Sequence, residues 1–210
     1  MTLSPVNRFV FVGVCILGMF SLGQVGCSLF VPKKDRTQFY VLRAAKAEGR
    51  RYSASRTGAV AVRVGPGNVA SYLDSLSIAL EETPNRLKFL DSYHWAEPLA
   101  KGIARVLGEN LSHVLGLSHI SYYPDPIPGG SGIEVLYRIN RFEGALDSPV
   151  TLDVSWQVIE SPGSDVKTSK RSVYVIPPTQ GPGTVDSYVA RLSAALERWS
   201  AEVAAAIRAR

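Results

Sequence analysis

One residue in this chain is set up for covalent chemistry: Cys27, the first cysteine after an apolar run from Phe9 to Phe20 and the small residues Val25 and Gly26. A positive start (Arg8), a short greasy stretch and small residues before a cut is the order of a secretory signal. The run is about 12 residues, short of the roughly 20 that a spanning helix needs. A cysteine just past the cut is placed for thioether attachment of lipid, as in a bacterial lipoprotein. Gln24 stands three positions before Cys27, where such signals prefer Leu, and Leu22 lies two residues earlier. Ordinary secretion and an uncleaved helical anchor are the competing readings. Ser28, rather than Asp, follows the cysteine, which favours the outer membrane of a diderm bacterium.

No other residues gather into a reactive set. His94, His113 and His119 are the only imidazoles, and none has a second histidine at metal-ligand spacing. His94 and Glu97 are three apart without an HExxH pattern. Gly129-Gly130-Ser131-Gly132 lacks the G-x-S-x-G spacing of a hydrolase elbow and lies in a proline-rich loop. Gly65-Pro66-Gly67 is not followed by the Gly-Lys-Ser/Thr of a phosphate-binding loop. The expectation is a protein that is not an enzyme, with no metal and no cofactor beyond a covalent lipid at Cys27.

Composition narrows the class further. Removing residues 1–26 leaves 184 of 210, enough for one domain with a hydrophobic core. Cys15 would go with the signal, so the mature chain would hold one thiol and no internal disulfide. Net charge falls from +5 to +4 with the loss of Arg8. Nucleic acid is a poor partner for an exported chain. Residues 43–56 hold Arg43, Lys46, Arg50, Arg51 and Arg56 against Glu48. They read either as a solvated connection or as a loop that meets anionic headgroups at about 1 kcal/mol per charge. Residues 27–37 read as a lipidated start and a polar tether, and 38–210 as the folded domain.

Periodicity supplies the elements of that domain. Gln38 to Leu42 is β-prone, and Val60, Val62 and Val64 alternate until Gly65-Pro66-Gly67-Asn68, which predicts a break. Leu76–Leu80 and Arg86–Leu90 flank Thr83-Pro84-Asn85, a turn signal, and predict a hairpin. Trp95, Leu99, Ile103, Val106, Leu107, Leu111, Val114 and Leu115 form one helical stripe, with Pro98 in its first turn and Gly116 at its end. On that stripe Trp95 reads as core. His119–Tyr123 is a brief strand, and three alternating strands follow, of which 150–158 is the cleanest. A second helix starts near Thr184 and Asp186 and keeps its apolar stripe from Val185 to Ile207. These predict a single α+β domain: a largely antiparallel or mixed β-sheet with two long amphipathic helices packed on one face.

Taken in order, several short motifs resemble the ABC-type transport auxiliary lipoproteins, which include the PqiC-like proteins. They are Phe39-Tyr40-Val41-Leu42, Val64-Gly65-Pro66 leading to Tyr72-Leu73-Asp74, and His94-Trp95-Ala96-Glu97-Pro98-Leu99 ahead of Leu107-Gly-Glu-Asn-Leu111. Phe142-Glu143 and Leu152-Asp-Val-Ser-Trp156 continue the series. The resemblance implies an outer-membrane-tethered periplasmic subunit of an intermembrane lipid transport system. Its partner would be an MCE-domain periplasmic transporter component, with the membrane reached through the lipid anchor and self-association as a homo-oligomer left open. Phe39, Tyr40, Leu42, Tyr72, Leu73, His94, Trp95, Glu97, Pro98 and Leu99 become the positions to follow, as structural or partner-binding residues. Tyr72 and Leu73 either plug a gap beside the sheet or face the partner. A lipid-binding carrier and an assembly or plug lipoprotein for an outer-membrane protein are the alternatives.

Overall fold

The chain's hydrophobic alternation resolves into two sheets rather than one. The computed structural model describes residues 36–45, 60–163 and 165–209. The expected signal, Cys27 and most of the basic run from Arg43 to Arg56 lie outside the described residues. Gln38–Tyr40 (β1) pairs in parallel with Arg86–Trp95 (β4), and β4 pairs antiparallel with Ser77–Thr83 (β3). The larger sheet has Ser121–Tyr122 (β5) and Val62–Val69 (β2) in parallel, then Gly132–Gly144 (β6), Val150–Ser161 (β7) and Asp165–Ile176 (β8). β2 runs parallel to β6, whereas β6, β7 and β8 form an antiparallel meander.

The helices Leu99–Leu115 (α1) and Val185–Arg208 (α2) cover one face of this five-stranded sheet. On that face the Tyr137 ring meets Trp199 of α2 edge-on, with centroids 5.2 Å apart. Lys170, Ser172 and Tyr174 of β8 all reach Glu202 of α2. The two helices are joined by buried Asn110, whose Nδ2 donates to Ser200 Oγ at 3.1 Å. The fully buried side chains between helices and sheet include Trp156, Trp199, Tyr188, Ile103, Leu107 and Ile139. The layers thus close on one α+β core, within the compact unit that begins at Thr37.

Local chemistry sets the helix limits. Thr184 caps α2, its hydroxyl accepting from the Ser187 N–H while Ser187 accepts from the Thr184 N–H. Gly116 closes α1 at φ 70°, a left-handed turn that a side chain disfavours.

Two expected boundaries are corrected. Trp95 ends β4 instead of opening the helix. Its N–H donates to the Leu76 carbonyl at 2.7 Å, and the next N–H, Ala96, donates to the Tyr40 carbonyl at 2.8 Å. Pro98 biases the residue before it away from helical angles, so α1 starts only at Leu99. The expected break at Gly65–Asn68 is instead a bulge within β2, the register slipping between Val64 and Gly67. Gly67 is needed there because a Cβ would overlap the Tyr137 ring.

Candidate functional site

Most of the sequence-selected residues come together where β1, β4 and the start of α1 meet. The parallel register sets Phe39 beside His94 and Tyr40 beside Trp95. The Phe39 and His94 rings make an edge contact at 6.0 Å, and Tyr40 tilts against Tyr93 at 6.1 Å. Phe39 is 65 % exposed although it is apolar, whereas Trp95 and Leu99 are buried beneath the same junction. Pro98 is exposed at the helix entry. The packing of this corner is therefore internal on one side and open on the other.

Glu97 holds the corner together through Arg105, two turns into α1. Arg105 donates to Glu97 Oε1 from Nε at 3.1 Å and from Nη2 at 2.6 Å, and to Glu109 at 3.1 Å. The same Nη2 donates to the Leu42 carbonyl at 2.9 Å, so one guanidinium ties the helix start to the chain leaving β1. The Glu97 hydrogen bond leads in raising the Arg105 pKa, against the opposing effect of burial.

Residues 41–45, with Leu42 buried among them, are held to both helices. The Arg43 N–H donates to Ser193 Oγ on α2, and the Ala45 N–H donates to Asn110 Oδ1 on α1. A groove of about 360 Å³ opens between this segment and α2, lined by Tyr40, Arg43, Ala44, Asp186, Val189 and Glu197. Burial, and then the nearby Asp186 charge, push the Tyr40 hydroxyl pKa up.

Tyr72 and Leu73 belong to a different place. They form a short 3-10 turn, Ser71–Leu73, after β2. Leu73 is buried in the core, while Tyr72 is half out and donates to Glu143 Oε2 at 2.9 Å. Arg141 bonds Glu143 at 2.7 Å and also pairs with Glu81 of β3, bridging the two sheets. Burial first, and Glu143 next, raise the Tyr72 pKa. So Leu73 fills the gap and Tyr72 completes a polar clasp.

Sequence reasoning missed Arg105, Arg141 and Arg191, and it quoted Asn110 and Glu143 within motifs without their bonding roles. Arg191 lies inside the apolar stripe of α2, between Tyr188 and Leu192, and is buried. It donates to the carbonyls of Ser148 at 2.5 Å and Leu146 at 2.6 Å, capping the loop between β6 and β7. A cation on a buried helical stripe was the available signal. Among the described residues no group of three His, Cys, Asp or Glu side chains could hold a metal, and no helix is long and apolar enough to cross a membrane.

A family model described as the ABC-type transport auxiliary lipoprotein component matches residues 40–204. No curated protein matches the sequence. Among solved structures, the chain is similar to protein XCC0632 from Xanthomonas campestris, described under the family DUF330. The two share 15% identity over 80% of this chain and 93% of that one, at a TM-score of 0.61. An uncharacterised protein is similar at 16% identity and the same TM-score, over 80% and 97% of the two chains. At these identities the structures speak for the fold alone. The family match runs from Tyr40 in β1 into the last turns of α2 and takes in every described motif position except Phe39, and on that span this chain belongs to the ABC-type transport auxiliary lipoprotein family.

Proposed function

We propose that the protein is a non-catalytic subunit of an ABC/MCE-type system that moves lipids or other hydrophobic molecules between membranes. Lipid on Cys27 tethers it to the outer membrane, facing the periplasm, and its folded domain docks to the MCE-domain component of the transporter. The observation that carries this reading, beside the family, is how the interior is used. Trp156, Trp199 and Tyr188 are each buried to 1 % exposure or less in the space between helices and sheet. A lipid carried inside the domain would need that space. The work therefore falls to the surfaces, and a filled interior suits a domain that acts by contact.

Affinity purification of the tagged, full-length protein from membranes of its native host tests the proposal. An MCE-domain protein is expected in the eluate under detergent conditions that keep such assemblies whole. Recovery of the chain alone under those conditions overturns the docking role. Native mass spectrometry that finds a lipid held within the folded domain would replace it with the carrier reading.

A further inference from the structure

The helix-free face of the five-stranded sheet carries a concavity of about 430 Å³ whose lining includes Pro66, Ser155 and Trp156 of the motif series. Register sets its floor, with Arg171 at the end of one row and outside the lining. Asn68 of β2, Arg138 of β6, Ser155 of β7 and Arg171 of β8 stand side by side across the sheet. Two residues away along the strands, Leu136, Gln157 and Ser169 form the next row. Directly opposed residues point to the same face, so these side chains form a grid at strand spacing, roughly 4.8 Å, with every member but Leu136 able to donate.

Charge singles out Arg138. The other strand arginines are held by carboxylates: Arg63 by Glu134, Arg86 by Glu82, Arg141 by Glu81 and Glu143, and Arg171 by Asp153. Arg138 alone has no such partner among the described residues, and it is exposed. The cavity lining includes the cations Arg138 and Lys170 and no aspartate or glutamate. Lys170 is turned to Glu202 on the helical face. The concavity thus offers one uncompensated guanidinium, flanked by the amides of Asn68 and Gln157 and the hydroxyls of Ser155 and Ser169.

We propose that this concavity binds an acidic segment of a partner polypeptide, a carboxylate seating on Arg138 while the flanking amides and hydroxyls take its backbone. A guanidinium fork matches a carboxylate with two parallel hydrogen bonds. A phospholipid headgroup shares the anionic chemistry but needs a trough for its chains. Here the apolar side chains on the site's own face are Leu136 and Pro66, and the larger Tyr137 and Trp156 are buried on the opposite face of the sheet. As the docking surface for the transporter, the site rests on the proposed function; its affinity for an acidic peptide does not.

The full-length lipoprotein in detergent micelles is exposed to acetyl-(Glu-Ser)4-amide carrying one benzoylphenylalanine, and photo-crosslinks are mapped by mass spectrometry. Saturable crosslinks are expected on β6, β7 and β8, falling at least about tenfold in Arg138→Glu. Arg138→Gln, which keeps the polar shape, loses most of the signal, and Lys101→Glu on the exposed side of α1 loses none. Crosslinks scattered over the surface, crosslinks unchanged in Arg138→Glu, or crosslinks competed away by phosphatidylglycerol vesicles but not by unlabelled peptide each overturn the site. The native-membrane purification separately reads the docking role, so the two failures are told apart.

Discussion

Asn110 joins three segments with two hydrogen bonds from one buried amide. It accepts from Ala45, donates to Ser200, and so joins the N-terminal segment and both helices. Asn110→Ala strands the Ala45 N–H beside an apolar gap and leaves Ser200 only its bond to the Leu196 carbonyl, and is expected to cost about 1–3 kcal/mol, read by urea unfolding. Asp153 carries a pH dependence. Arg171, whose Nη2 is 2.6 Å from it, holds its pKa below the usual 3.8, with Asn140 adding to the effect against burial. A carboxylate lowered on folding adds stability that is present above its unfolded value and lost as pH falls through the folded one. The wild type should therefore lose more stability between pH 5 and strongly acid solution than Asp153→Asn does. Denaturant midpoints across about pH 2–5 check this. An equal loss in both proteins would remove Asp153 from the account.

At the scale of elements, the caps and close approaches decide. Thr184→Ala removes the acceptor for Ser187 and is expected to cost about 1 kcal/mol, seen as a lowered melting temperature. Gly108 on α1 is informative because two effects oppose. Alanine favours a helix over glycine by roughly 0.5–1 kcal/mol, but a Cβ here overlaps the Tyr122 ring and hydroxyl. Overpacking of about 1–3 kcal/mol should win, so Gly108→Ala is expected to destabilise despite the better helix former. The helices were legible because their stripes are long: every apolar residue named on α2, from Val185 to Ile207, is buried. The alternation of 150–158 likewise gave β7. What the sequence hid was pairing. β2 finds its parallel partner β6 some seventy residues later, and nothing in Val62–Val69 announces it. Trp95 fits a helical stripe by spacing alone, and only its bonds to Leu76 and the neighbouring Tyr40 link reveal a strand. For the site, the motif positions were readable as a group. The arginine that binds Glu97 to Leu42, and the grid around Arg138, depend on contacts across distant segments.

For the whole molecule, a filled core beneath two helices and a sheet face left open describe a part built to be held and to be touched. Cys27→Ser is expected to move the protein from the membrane to the soluble periplasmic fraction, assayed by fractionation and intact mass. Retention in the membrane by an unmodified chain would favour the uncleaved anchor. The way the N-terminal segment enters the fold has a mechanical side. β1 lies parallel to β4, and residues 41–45 are then pinned in turn to α1 and α2. A tug delivered at residue 37 along the strand loads the β1–β4 bonds in shear, and behind them stands a second set of fastenings on the helices. Under the proposed tethering and docking, the domain would bear strain between its two ends of attachment without fraying from its first residues.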